Sequence, residues 1–505
     1  MNIVDIIRAE TRDFSANTAI IEGTRTITYG QLLQDVAACR DLLRTCGLAP
    51  GQRIAFRCRD GIDYVLGALA LLDTQVAIVP LADTLTETEI QNILTTMDVQ
   101  GVLTHSDLTP APPSNTTSRR VGAFLWQPRQ ATGEMDHACC DLEAAFIRFS
   151  SGTTGLSKGV LLSHRTIFER TSAANRGLQI DPADVILWVL GMSHHFVVSI
   201  LLFLRRAATI HIANREFPFS LLEAVVQTPV TFIYASPMHY HLLTTADSVP
   251  PQALSRVRLA ISTAMKMPRA IAEAFHRKFG FQPAQAYGII EIGLPFINTD
   301  PENGPANTVG PALPDYQLKI AHPDSAGIGE VLLRGPGMFD AYCSPWRNRD
   351  ACLDEGWFHT GDLGRLDEHG RLCLLGRCKT VLICAGMKIF PEEVEEVLNA
   401  QPGVLESRLF GQDHPELGQV PVASVVLRPS AEPLAHILTR LRQHCCQVLS
   451  SYKVPVEFQV VAALAKTPSG KLARHLPSPQ PDTATDDQPG PDILDASFQR
   501  VRNSE

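Results

Sequence analysis

Through its first 380 residues the chain alternates strand-like runs with helix-like ones, and this alternation confines the fold to a layered α/β architecture. "RTITYGQLLQDVAACRDLLRTCGL" reads as a short strand followed by a helix, with Leu32, Leu33, Val36, Leu42 and Leu43 at helical spacing. "RIAFRC", "QVAIVPL", "GVLLSH", "AATIHIA", "VTFIYASP" and "RVRLAIST" read as strands, each bounded by turn or helix signals. Residues 105–120, rich in Pro, Ser and Thr, read as a surface loop. A chain of 505 residues is too long for one core, so two or more domains are expected. A smaller unit follows residue 380. Pro391 opens a helix there with Glu392 and Glu393 in its first turn, "VPVASVVLRP" is a strand, and "HILTRLRQHCCQVL" is an amphipathic helix. Residues 475–505, dominated by Pro, Asp, Thr and Gln, read as a disordered tail.

The net charge of -9 argues against a general nucleic-acid binder, which would carry a basic face. The start, "MNIVDIIRAETRDF", has scattered charges and no apolar segment with a cleavage site, so no signal peptide and a cytoplasmic location are expected. The twelve cysteines include no CxxC pair and no zinc-ligand spacing, which favours reduced, mostly buried thiols. Residues 185–204, "VILWVLGMSHHFVVSILLFL", have the length of a membrane span. Gly191, Ser193, His194 and His195 at their centre instead favour a strand, a polar turn and a buried helix.

The stretch "FSSGTTGLSKGVLLSH" at 149–164 combines glycines, hydroxyls and one lysine between apolar runs. It is not a Walker A loop, because Lys158 is preceded by Ser157 and followed by Gly159. Its backbone amides, its hydroxyls at Ser150, Ser151, Thr153 and Thr154, and its ammonium nonetheless suit phosphate oxygens. Alone, it would read equally as a flexible loop.

Four further motifs accompany it: "QAYGIIE" (285–291), "FHTGDLG" (358–364), "GRCKTVLICAGMKIFPEEVE" (376–395) and "KTPSGKLAR" (466–474). On these motifs and their order, residues 10–474 resemble the adenylate-forming (AMP-binding) superfamily of acyl- and aryl-CoA synthetases, peptide-synthetase adenylation domains and luciferases. The resemblance implies a large multi-layer N-terminal α/β domain at 1–376, a hinge at 377–380 and a small mobile C-terminal α+β domain at 381–474. It implies ATP and Mg²⁺, with a carboxylic acid attacking the α-phosphate to give an acyl-adenylate and pyrophosphate. The acyl group then passes to the thiol of CoA or of a separate carrier protein's phosphopantetheine.

Residue by residue, the resemblance assigns Ser151, Gly152, Thr153, Thr154, Gly155 and Lys158 to the leaving phosphates. Tyr287 packs on adenine, Gln285 reads the base edge beside Gly288, and Glu291 is the carboxylate associated with Mg²⁺. By the same resemblance Asp362 would accept the ribose hydroxyls, Arg377 would lie near ribose and phosphate, and Lys379 would be the pivot. The same resemblance makes Lys471 the bridge between the carboxylate and the α-phosphate and sets Gly386 beside the thiol tunnel. Two positions depart from the pattern. Ser157 replaces a usual proline, and Ile290 replaces a threonine that touches the α-phosphate, a deficit on the order of 1 kcal/mol.

Alignment on the turn "LGMSHHFVVSI" puts His195 where amino-acid-activating relatives carry an aspartate, and His194 at an aromatic gate. No acid lies between Asp184 and Glu216, so an aryl or fatty acid is expected rather than an amino acid. His195, Phe196 and Val197, with Thr263, Ala264 and Met265, would line the acyl pocket; His195 either bonds a ring hydroxyl or packs the wall. No attachment motif of a carrier domain is read after the quoted motifs, so a carrier, if used, is expected to be a separate protein. The alternative is a catalytically impaired nucleotide-binding protein with a regulatory role, resting on Ile290 and Ser157.

Overall fold

The computed structural model describes residues 1–108, 118–130, 136–150, 158–213, 216–303, 308–384, 387–414, 417–430, 432–466, 472 and 474. Ser151, Gly152, Thr153, Thr154, Gly155, Ser157, Gly386, Lys471 and the segment 475–505 lie outside them. By its contacts the chain divides into two units: Met1–Thr360 with Arg365–Leu374, and Gly361–Gly364 with Leu375–Glu505.

The first unit contains the expected α/β layers. One sheet has the strand order Gly293–Ile297, Ala284–Ile289, Leu259–Ser262, Phe232–Ala235, Val185–Trp188, Thr209–Ile212, Thr18–Glu22, Arg25–Thr28. Its inner strands pair in parallel and its two ends are antiparallel hairpin strands. The second sheet has nine strands and centres on Lys158–Ser163, Ala144–Ser150, Ala77–Leu81, Arg53–Arg57 and Gly101–His105. Strands such as Arg53–Arg57 and Phe232–Ala235 bury almost every position, as parallel strands covered on both faces must. The helix Ile62–Asp73 is apolar on nearly all sides, and one core cluster joins it to both sheets.

Polar residues set the helix starts. Thr28 caps Tyr29–Thr45, Thr86 and Glu89 form a capping box before Glu87–Thr96, and Ser163 caps His164–Leu178. In Tyr29–Thr45 the buried stripe runs through Leu32, Val36, Cys39 and Leu43, whereas Leu42 is 47% exposed. A step of about 100° per residue carries Leu42 round the helix from that stripe.

Two expectations need correction. The alternation does not continue to residue 380: between the helices Arg269–Phe279 and Pro391–Asn399 the described residues form strands and short 3-10 turns only. Turn residues such as Asp324–Gly327 and Asp367–Gly370 close hairpins here instead of opening crossovers, and the strands Gln317–Ala321, Gly329–Arg334, Phe358–Leu366 and Leu372–Arg377 form a separate sheet. The surface loop read at 105–120 is also shorter than expected, since Arg119–Val121 is an edge strand pairing with Phe124–Pro128. Residues 185–204 form the strand Val185–Trp188, the short helix Met192–His195, a π-helical turn Phe196–Ile200 and the helix Leu201–Arg205. No helix among the described residues is long and apolar enough to cross a membrane. All twelve cysteines are free, and most are buried.

The second unit is α+β. Gly418–Leu427 pairs with Val404–His414, with Leu382–Cys384 and, in parallel, with Glu457–Val460. The helices Pro391–Asn399 and Leu434–Val448 close a core of Leu382, Ile389, Val394, Leu409, Val425 and Leu441.

Candidate active site

Strand register explains how distant motifs meet in the first unit. Arg148 faces Val160 across one antiparallel pair, and Val160 faces Tyr342 across the next. Side chains alternate along a strand, so Arg148, Lys158 and Tyr342 share one face of the sheet. The Lys158 ammonium stands 5.0 Å from the centre of the Tyr342 ring. The Tyr342 hydroxyl donates to Oε1 of Glu291 at 3.1 Å. Burial first, and then the neighbouring Glu291 carboxylate, push the Tyr342 phenol well above its ordinary range, so it remains a donor. Arg170 is buried and gives its guanidinium to backbone carbonyls, with Nη2 to Gly337 at 2.6 Å and Nη1 to Ile290 at 3.1 Å.

The "QAYGIIE" motif forms the strand Ala284–Ile289 and the turn into Gly293–Ile297. Tyr287 is partly buried with its ring 5.9 Å from that of Phe296, its cross-strand partner. Gly288 is required by close approach, because a Cβ there would lie 2.3 Å from the Gly293 carbonyl oxygen. Gln285 is buried, and its side-chain oxygen accepts from the Met267 amide at 3.0 Å. This bond fixes the end of the turn that carries Thr263, Ala264 and Met265.

That turn starts at buried Thr263, whose amide donates to the Ala235 carbonyl at 3.0 Å. Ala264 has φ +72°, a left-handed conformation costly for a residue with a Cβ, and Met265 is 56% exposed. Phe196 and Val197 are buried; Phe196 sets its ring edge-on against Tyr64 at 5.5 Å. His194 and His195 are partly buried, and the His195 ring lies edge-on to Trp188 and to Tyr234. The Tyr234 hydroxyl interacts with Thr263 and Ser199, so residues from three elements meet at one ring. Asp184, the acid preceding this region, is held by Arg258 at 2.6 Å and by Thr231.

In the second unit, Asp362 is buried and pairs with Arg377 Nε at 2.9 Å. The Cys378 amide donates to the Gly361 carbonyl, holding the two segments side by side. Lys379 is exposed in a turn closed by bonds from the Thr380 and Val381 amides to the Arg377 carbonyl. Lys466 and Leu472 pair on either side of Lys471. Three residues beyond Lys471, Arg474 forms a two-pronged ion pair with buried Glu395 at 2.8 and 2.6 Å, and its carbonyl accepts from Arg408.

Several residues of this neighbourhood were not read from the sequence. Tyr342 and Arg148 belong to none of the quoted motifs; only cross-strand register brings them beside Lys158. Asp60 lies outside the window searched for acids, yet both its carboxylate oxygens stand 3.1 Å from the Met192 amide and cap the short helix bearing His194 and His195.

The AMP-binding enzyme family model matches residues 7–343, and the AMP-binding enzyme C-terminal domain model matches residues 393–471. A 3-((3aS,4S,7aS)-7a-methyl-1,5-dioxo-octahydro-1H-inden-4-yl)propanoyl:CoA ligase from Mycobacterium tuberculosis is 29% identical over 494 residues, covering 92% of this chain and 96% of that protein. The fatty acid–acyl-carrier-protein ligase ScoC from Streptomyces coeruleorubidus is 25% identical over 480 residues, covering 90% and 92%. The crystal structure of ATP-bound MatB from Rhodopseudomonas palustris superposes with a TM-score of 0.78 at 23% identity, covering 94% of this chain and 97% of that one, and establishes likeness of fold.

Proposed function

The chain belongs to the AMP-binding enzyme family, and on that premise we propose that it is an ATP-dependent acid–thiol ligase. A carboxylate oxygen attacks the α-phosphorus of ATP, the bond to the bridging oxygen breaks, and pyrophosphate leaves. A thiol sulfur then attacks the acyl carbon of the adenylate, and AMP departs. The observation that carries this reading is the convergence of Lys158 and Glu291, from motifs far apart in sequence, on Tyr342.

In this reading Lys158 and the residues Ser151–Gly155 hold the departing phosphates, and their positive charge and amide donors favour the transition state. Asp362 accepts from the ribose hydroxyls with Arg377 fixing its orientation, and Lys471 draws the substrate carboxylate to the α-phosphate. Glu291 supplies a hard oxygen ligand suited to Mg²⁺, and among the described residues no cluster of three or more His, Cys, Asp or Glu side chains could hold a metal by itself. Glu291 would thus hold the ion together with phosphate oxygens and water; when bound, Mg²⁺ neutralises charge on the leaving pyrophosphate. Lys379 is the proposed pivot between the two half-reactions, Gly386 borders the thiol path, and the hinge and domain limits expected from the sequence belong to this proposal.

The proposed substrate is an aryl or fatty acid. The nearest acid in sequence before the His194–His195 turn, Asp184, is paired with Arg258, and Asp60 accepts from the Met192 amide. The acceptor is CoA or the phosphopantetheine of a separate carrier protein; the Mycobacterium relative is named for the first and ScoC for a carrier protein. Use of ATP and a reduced thiol favours the cytoplasm. The reading as an impaired regulatory protein draws no support from relatives named as ligases. The test is ATP–pyrophosphate exchange over a panel of benzoates, hydroxybenzoates, cinnamates, fatty acids and amino acids. Exchange with one acid class is expected, and silence across the panel would overturn the reading.

A further inference from the structure

The face shared by Arg148, Lys158 and Tyr342 brings two cationic side chains to one side of the sheet. Lys158 lies over the Tyr342 ring, and Glu291 is the carboxylate that Tyr342 engages. Arg170 spends its donors on the Gly337 and Ile290 carbonyls, while the nearby Asp340 and Glu291 carboxylates act on it through charge. Arg148 is different again. Its side chain is half-buried, its Nε is shielded from solvent, and among the described residues that Nε has no hydrogen-bond partner. Burial holds its guanidinium down to about 10, while Glu291 acts in the opposite direction through charge alone. A shielded guanidinium donor is costly to leave unpaired unless a ligand completes it.

Arg148 also stands two residues from the end of the strand Ala144–Ser150, where the chain enters the glycine- and hydroxyl-rich segment, and on the same face as Lys158. Position 290, whose carbonyl Arg170 holds, carries an isoleucine with no donor to offer. We propose that Arg148 is a further phosphate-binding residue of this site, its guanidinium taking an oxygen of the ATP triphosphate in place of the hydroxyl that Ile290 lacks. The proposal rests on the ligase reading and adds to it a residue outside the motifs. A planar guanidinium suits this role because its parallel N–H donors match phosphate oxygens.

The experiment is calorimetric titration of the full chain with ATP and, separately, with adenosine, for wild type, Arg148→Gln and Arg148→Lys. In R148Q the affinity for ATP should fall about 10- to 100-fold, the range of a lost charge-assisted hydrogen bond, with adenosine binding unchanged. R148K should recover part of the loss. Equal ATP affinity in wild type and R148Q, or equal loss for ATP and adenosine, overturns the proposal while leaving the ligase reading standing. Should R148Q not fold, R148K carries the test: ATP weakened several-fold with adenosine unaffected supports the role, and ATP affinity equal to wild type overturns it. A wild-type protein that binds neither ligand removes the ligase reading as well, which is a distinguishable result.

Discussion

The hydroxyl of Tyr342 donates to Oε1 of Glu291 at 3.1 Å while its ring lies under the Lys158 ammonium. One side chain thus positions a carboxylate and a cation from separate motifs, and the two contacts can be removed one at a time. Tyr342→Phe keeps the ring and loses the bond to Glu291. Its Mg²⁺ requirement in pyrophosphate exchange should rise about tenfold, as loss of a hydrogen bond to a charged group implies, with the ATP KM unchanged at saturating Mg²⁺. Tyr342→Leu removes both contacts and should raise the ATP KM as well. Identical profiles for the two variants would dismiss the divided role.

Asp362, buried and paired with Arg377, should answer to nucleotide rather than acid. Asp362→Ala removes two hydroxyl acceptors and leaves Arg377 unopposed, so the ATP KM should rise about 10- to 100-fold with a much smaller change in the KM of the acid. Steady-state exchange at varied ATP and varied acid separates the two, and a change confined to the acid would refute the assignment.

Lys471 is expected to serve only the first half-reaction. Lys471→Ala should lower adenylate formation by about 10²-fold or more, the scale of a lost transition-state donor, while thioester formation from a supplied acyl-adenylate proceeds normally. Equal losses in both halves would exclude that role. Arg474→Ala is the useful contrast: it strands buried Glu395 and should destabilise the C-terminal unit by about 3 kcal/mol in urea unfolding.

Acid sensitivity should come in part from two buried imidazoles. Burial lowers His164 and His239 to about 4, from an ordinary 6.5. Between these values only the unfolded chain takes up the protons, so stability is full above 6.5 and declines as pH falls towards 4. On going from pH 7 to pH 5 each should contribute a loss on the order of 2 kcal/mol. Urea midpoints at the two pH values check this: His164→Gln should show a smaller difference than wild type, and an undiminished difference would contradict it.

What was legible in the sequence was local. The strand runs around Arg53–Arg57 and Val185–Trp188, the capped helix Tyr29–Thr45 and the Pro391 helix start each carry their signal within a few residues. Motif residues were equally visible, because Lys158 and Glu291 sit in short recognisable words. Cross-strand partners were not: nothing near Arg148 in sequence reveals that Val160 and Tyr342 continue its row. The hairpin-rich stretch 317–377 was misread as alternating because apolar runs do not state whether the next turn reverses the chain or starts a helix. Gln285 shows a third limit, since its backbone tie to Met267 depends on a fold that joins residues 18 positions apart.

The division of the chain bears on how its parts can be exchanged. Gly361–Gly364 counts with the C-terminal unit, and Arg365–Leu374 returns to the N-terminal one before the chain leaves it for good. The returning strand is bound in place, as Leu372 accepts from the Thr308 hydroxyl and the Val309 amide, and donates to the Gly310 carbonyl. A hybrid made by joining two homologous chains at residue 360 would therefore give the N-terminal unit a foreign edge, whereas a junction after Leu374 would leave that edge intact and carry Asp362 along with the N-terminal parent. Arg377 would then come from the other parent, and the two halves of the Asp362–Arg377 pair would have to be compatible across the seam. Functional recombinants should be found where both parents keep that acid and that base.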